Sequence, residues 1–321
     1  MNKDVELSIV IPVYNSAAIF PELYNRTVAA LASVVGEFEI IAVLDGCKDN
    51  SFEVISNYCS SDKRVKLIEF SRNFGHQAAI TAGLLAACGD MIAVMDDDLE
   101  DPPEVLVKLV QKIREGYDVA YGVRKKRKRS FVYRHLYKLY YRLLGRLVDI
   151  EIPYDAGDFS VMRRAIVDVI NSMPERNRYI RGLRAWSGYK QTGVEYERDK
   201  RYTNESGYSL KKYITLALDA IFSFSYKPLK FVSILGILIA VVSFIYGSSL
   251  IIQKILGQIP DVPGWASLVV SILFLSGVQL VAIGIIGEYI ARIYDEVKQR
   301  PKYVVIRTIG IKDGVIDSRV T

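Results

Sequence analysis

Three consecutive carboxylates, Asp96, Asp97 and Asp98, follow directly on the apolar run at 91–95. Side by side they repel, so something must compensate them, and a divalent cation is the simplest candidate. Hard Mg2+ or Mn2+ takes carboxylate and phosphate oxygens. In an extended segment alternate residues point the same way, so Asp96 and Asp98 can face one ligand while Asp97 turns aside. The competing reading is an acidic turn that caps a helix over 102–115, which also accounts for Asp101. Asp45 and Asp158 are further acidic candidates, and a basic run occupies 124–129. His76 and His135 are the only histidines, and neither has the spacing of a zinc ligand cluster.

The elements that must hold these residues alternate. Leu7–Val13, Phe38–Leu44, Val65–Phe70 and residues 91–95 read as strands. Residues 19–35, 51–59 and 77–88 have helical apolar spacing. Alternating strands and helices predict an α/β domain with a mostly parallel sheet and ligands at the carboxyl ends of its strands. Asp45 and Asp96–Asp98 both fall at such ends. Asp49 suits a helix cap better than a ligand contact. Three cysteines without metal-ligand spacing fit reduced thiols.

The last third is different. Residues 231–252 and 265–291 are two apolar stretches, each long enough for a bilayer core that takes about 20 helical residues. The net charge of +6 suits either nucleic acid or an anionic membrane; the two stretches favour the membrane, and no nucleic-acid partner is expected. Arg134, Lys138, Arg142 and Arg146 recur every four residues, which lines them along one face of an amphipathic helix at 131–148. A second interfacial helix is read at 210–225. Lys and Arg flank the pair of stretches on the outside, whereas the loop between them holds only Lys254, so both termini are expected in the cytoplasm. Glu288, inside the second stretch, can pair with Arg292 one turn later. Residues 303–309 have strand character and are read as pairing with a neighbouring chain.

Short motifs run through the chain in a fixed order. Ile11-Pro12-Val13-Tyr14-Asn15 comes first, then Leu44-Asp45-Gly46-Cys47-Lys48-Asp49-Asn50-Ser51 and Ser71-Arg72-Asn73-Phe74-Gly75-His76-Gln77. The Asp triplet, Ala156-Gly157-Asp158-Phe159 and Arg178-Tyr179-Ile180-Arg181-Gly182 follow, and Gly287-Glu288-Tyr289-Ile290-Ala291-Arg292 ends the second apolar stretch. This series resembles glycosyltransferase family 2, with its nucleotide-sugar-binding GT-A fold. The paired apolar stretches make it similar to the polyisoprenyl-phosphate glycosyltransferase group, which contains dolichol-phosphate mannose synthase and bacterial undecaprenyl-phosphate sugar transferases.

The resemblance implies a layout and an activity. Residues 1–226 would form a cytoplasmic catalytic domain, 227–292 a two-helix transmembrane anchor and 293–321 a cytoplasmic tail, in a bacterial inner membrane. Pro12, Tyr14, Asp45, Asp96, Asp97 and Arg201 would meet the nucleotide-sugar donor. Asp96 and Asp98 would hold Mg2+ or Mn2+ on its diphosphate. Arg124, Arg129, Arg134 and Lys138 would receive the phosphate of the polyprenyl acceptor. Asp98 and Asp158 would be catalytic, Asp158 either as a base or as a group that orients the acceptor. Arg178 and Arg181 are candidates for either substrate. The chain departs from the group at Ser16, where Glu is usual, at Asp97, where Ala is common, and at Gly207, where Lys is usual; Arg201, Lys211 or Lys212 would replace that lysine. The implied reaction moves a sugar, by default from UDP-glucose, to a polyprenyl phosphate such as undecaprenyl phosphate, with inversion. The alternatives are a processive polysaccharide synthase, which needs more spans and a Gln-x-x-Arg-Trp motif, and a non-enzymatic lipid-sugar transport or anchoring subunit. Small residues at Gly277, Gly284 and Gly287 are expected to let spans of a homo-oligomer pack closely.

Overall fold

The structure, a computed structural model, describes residues 5–125, 156–176, 178–199, 227–256 and 264–312. Strands β1 (Leu7–Val13) and β2 (Phe38–Leu44) are buried along their whole length. Helices cover both faces of such strands, which is why their sequences run apolar instead of alternating. They pair in parallel in the register Leu7–Phe38 to Val13–Leu44. β3 (Val65–Phe70) continues the parallel set beside β2, and β4 (Met91–Val94) beside β1.

The remaining strands are β5 (Val119–Arg124), β6 (Ala156–Arg163), β7 (Gln191–Tyr196) and β8 (Val305–Ile309). The sheet order is β7-β5-β6-β4-β1-β2-β3-β8. β6 runs antiparallel between β4 and β5, and β8 antiparallel against β3; the other pairings are parallel. The 303–309 segment thus forms its strand inside its own chain. β3 offers an open edge, and burial of Tyr303 and Val305 beside it favours intramolecular closure over pairing with a neighbouring copy.

Helices α1 (Phe20–Leu31), α2 (Ser51–Ser61), α3 (His76–Ala86) and α4 (Val105–Arg114) fill the crossovers. α1 buries Phe20, Leu23, Thr27 and Leu31, a spacing of three and four residues that makes one stripe. α4 does the same with Val105, Leu106, Leu109, Val110 and Ile113. α3 lies close against β1: a Cβ on Gly83 would stand 2.2 Å from Val10 Cγ1. α5 (Arg164–Ser172) and α6 (Ile180–Trp186) follow β6.

A second compact unit holds two long helices, α7 (Lys227–Ile255) and α8 (Trp265–Lys298). Within them Leu229–Ser249, 21 residues of mean hydropathy 2.3, and Phe274–Lys298, 25 residues of mean hydropathy 1.7, are long and apolar enough to cross a membrane. Neither window is buried in the protein, unlike the core helices of a soluble domain. Glu288 pairs with Arg292 at 3.1 Å, one turn apart. The helices read at 131–148 and 210–225 lie outside the described residues.

Candidate active site

The site forms where β1, β2 and β4 end and the antiparallel β6 begins. Asp45, the first residue past β2, is buried, and both of its oxygens accept backbone N–H groups: Phe74 at 2.6 Å and Gly75 at 2.9 Å. It therefore pins the 72–75 loop. Gly46 makes this possible: at φ +63°, a Cβ there would stand 2.3 Å from the Arg72 and Asn73 backbone. Pro12 is buried in β1. Tyr14 is exposed, and its N–H donates to Asp97 Oδ2 at 3.0 Å. The Ser16 hydroxyl donates to the same oxygen at 2.5 Å. Asp97 thus turns towards the β1–α1 loop. Ser16, where the resemblance leads one to expect Glu, serves as this carboxylate's partner. Asp49 accepts from Ser51 at the start of α2 and from Ala17 N, a structural role.

His76 opens α3 directly after that loop. Its Nε2 lies 3.4 Å from Asp96 Oδ1 and 3.4 Å from Asp158 Oδ2, so one imidazole bridges the ends of β4 and β6. Burial would lower its pKa; the two carboxylates outweigh that and hold it above 6.5. Asp158 itself is buried on β6. Arg181, on the first turn of α6, grips it with both prongs, Nε to Oδ1 at 2.9 Å and Nη2 to Oδ2 at 3.0 Å. Gln77 completes the cluster: its amide N–H reaches Asp158 Oδ2 at 3.4 Å, while its Oε1 accepts the Ile180 N–H at 2.8 Å. Burial alone would raise the Asp158 carboxyl; the Arg181 guanidinium and His76 hold it well below the usual carboxylate range. Such a group stays ionised and is a poor proton acceptor.

Asp96 is the opposite case. Burial first, then the nearby Asp158, Asp101 and Asp98 charges, push it up to about 7 against the pull of His76. Its Oδ1 is buried and makes no hydrogen bond; the 3.4 Å approach of His76 is an ion-pair contact only. Asp98 accepts the Glu100 N–H at 3.0 Å, and Leu99 between them takes φ +58°, an unusual backbone for leucine that fits a strained functional loop. Among the described residues no three His, Cys, Asp or Glu side chains converge as a complete metal cage. An orphaned carboxylate oxygen on Asp96 with Asp98 two residues on does fit a cation that takes its other ligands from phosphate oxygens.

A second acidic centre was read from sequence only as a helix cap. Asp101 is buried, and the α4 N-cap, Glu104, makes no side-chain capping bond. Asp101 instead accepts from the Tyr196 hydroxyl, from Arg124 at 3.3 Å and from Arg198 at 3.3 Å. Capping is a local reading, and the partners that claim this carboxylate arrive from β5 and the end of β7. Arg124 is thus placed at the site rim, with Asp101 balancing its charge. Arg178 is buried and donates to the Ile170 carbonyl, so only Arg181 of that pair reaches the site. Arg201, Arg129, Arg134 and Lys138 lie outside the described residues. The sequence singles out His76 only as lacking zinc-ligand spacing and does not single out Gln77; the signal for both is their position at a helix start after the Gly75 turn.

Residues 8–170 match Glycosyl transferase family 2, and residues 227–293 match the GtrB C-terminal hairpin. The uncharacterized glycosyltransferase YkcC of Bacillus subtilis is 44% identical over 98% of this chain and 97% of its own. A bactoprenol glucosyl transferase, derived from the SfII prophage of Shigella flexneri, is 39% identical over 94% of this chain and 97% of its own. The prophage bactoprenol glucosyl transferase homolog of Escherichia coli is also 39% identical, over 94% and 99%.

Proposed function

We propose that this chain, which belongs to glycosyl transferase family 2, transfers glucose from a nucleotide sugar to a polyprenyl phosphate at a membrane surface. The observation that carries this reading is the reach of the likeness to bactoprenol glucosyl transferases, across 94% of the chain, so that catalytic domain and apolar hairpin are matched together. UDP-glucose is the proposed donor. Both termini are assigned to the cytoplasm from the Lys and Arg that flank the hairpin, and a homo-oligomer is proposed from the small residues of α8.

In this reading Asp96 and Asp98 hold Mg2+ or Mn2+. Bound there, the cation supplies positive charge for the diphosphate that leaves. Pro12, Tyr14, Asp45 and Asp97 shape the donor side, with Arg201 towards the phosphates. Arg124, Arg129, Arg134 and Lys138 receive the acceptor phosphate; arginine's planar fork suits its oxygens. An acceptor oxygen attacks the anomeric carbon from the face opposite the nucleotide. The bond from that carbon to the diphosphate breaks, and the nucleoside diphosphate departs with the electron pair. A phosphate monoester has a second pKa of about 6 and arrives largely as a dianion, so no strong base is needed. This agrees with Asp158 being clamped in its ionised form. Its role is to fix Arg181 and His76 between the two substrates, and Asp98 is catalytic through the diphosphate. A screen of purified full-length protein with undecaprenyl phosphate and a panel of UDP- and GDP-sugars tests the proposal. UDP-glucose should give a lipid-linked sugar, and equal transfer from every donor, or none from any, would overturn it.

A further inference from the structure

The chain leaves α8 at Lys298 through Gln299, at φ +47°, and Pro301. Five residues beyond the helix, Tyr303 is buried, and its ring stacks on Phe70 with centroids 4.8 Å apart and planes 12° apart. Phe70, the last residue of β3, meets the edge of Phe74 at 5.8 Å and 89°. The Ser71 N–H donates to the Val304 carbonyl at 2.9 Å. On the far side Arg72 lies 4.3 Å over the Phe74 ring. Phe74 and Gly75 are the residues whose N–H groups Asp45 holds, and His76 comes next. A continuous run of contacts therefore joins the segment after the apolar hairpin to the loop that presents the bridging histidine. In chain order the hairpin lies between β7 and β8, the two outer strands of the sheet. The last-made strand closes the sheet beside this loop.

We infer that Tyr303 is a positioning residue for the transfer reaction, and that docking of the post-hairpin segment sets the 71–76 loop and, through it, His76 against Asp96 and Asp158. The inference rests on the catalytic reading above. A tail that only finished the sheet would need its ladder with β3 and no aromatic wedge against Phe70 and Phe74. Disturbing the wedge tilts the loop.

The test uses the full chain with Tyr303→Leu, which keeps apolar volume without the stacked ring, and Tyr303→Phe, which keeps the ring. Tyr303→Leu should lower kcat by about tenfold and raise the donor KM, with the lipid-acceptor KM within about twofold. Tyr303→Phe should restore most of both, since the stacked ring rather than the hydroxyl beside Arg178 forms the wedge. Hydrogen exchange should show the Phe74 and Gly75 amides losing protection in the Leu variant only. Kinetics and loop protection in Tyr303→Leu equal to wild type would overturn the inference. If the Leu variant does not fold, the wild type decides. Phe74 and Gly75 amides that exchange together with the β8 ladder support the coupling, and loop amides still protected after β8 has exchanged refute it. A wild type that forms no lipid-linked sugar sinks the functional reading, while the exchange comparison still judges the coupling.

Discussion

At the scale of single residues the site separates two carboxylates by environment. Asp158 is held ionised by a bidentate guanidinium, whereas Asp96 is pushed up to about 7. Opposite shifts in one cluster mark groups with different work. Arg181→Lys keeps a positive charge but loses the fork. The Asp158 pKa then rises towards the ordinary value, so the carboxylate is neutralised earlier as pH falls. Asp158 still stays ionised near neutral pH, so the acid limb of the pH–kcat curve should remain where Asp96 and the acceptor phosphate set it, while the lost fork lowers kcat at pH 7.5 on the order of tenfold, about 1.4 kcal/mol; wild-type turnover of the variant would show that the clamp is not needed. Asp98→Asn should nearly abolish turnover while thermal unfolding stays within about 0.5 kcal/mol of wild type, as for a change outside the core. Full activity of that variant, or of wild type in excess chelator, would remove the metal from the account. Sequence made the carboxylates visible because three in a row demand a reason. It hid Asp101's partners, since Tyr196 and Arg198 lie 95 and 97 residues away.

At the scale of elements, the strands buried on both faces were legible as unbroken apolar runs: β1, β2 and β3 fall where the sequence puts them. β5 was not, because Val-Ala-Tyr-Gly-Val-Arg carries a glycine and neither a clean alternation nor a solid apolar run. α6, at seven residues, is too short for a period to show, yet it delivers Arg181. Helix α3 depends on closeness to β1. Gly83→Ala would drive a methyl to within 2.2 Å of Val10, which is itself fully buried. Overpacking of this kind costs roughly 1–3 kcal/mol, so a urea melt should show a lowered midpoint with an unchanged slope. Wild-type stability for this variant would mean that α3 can slide, and His76 at its start would then not be rigidly placed.

At the scale of the whole molecule, the apolar hairpin was readable from the length and hydropathy of its two stretches and the α/β domain from its alternating elements, whereas the GT-A fold was readable only through the motifs that resemble the family. The destination of the tail was not: pattern alone marks 303–309 as a strand, and only the open edge of β3 decides its partner. Arg134 belongs to this scale as a proposed acceptor ligand next to the membrane. Arg134→Ala should raise the lipid-acceptor KM in both detergent and anionic liposomes, by about tenfold for a lost charge-assisted contact, with little change in the donor KM. Equal constants for wild type and variant in both media would remove it from the acceptor site. The central claim is that one sugar passes to a lipid phosphate. It is tested most directly by the mass of the lipid product after reaction of the purified chain with UDP-glucose and undecaprenyl phosphate. The account predicts a single species, the lipid phosphate carrying one hexose, absent from an Asp158→Asn control. A ladder of added hexoses, or unmodified lipid beside hydrolysed donor, would contradict it.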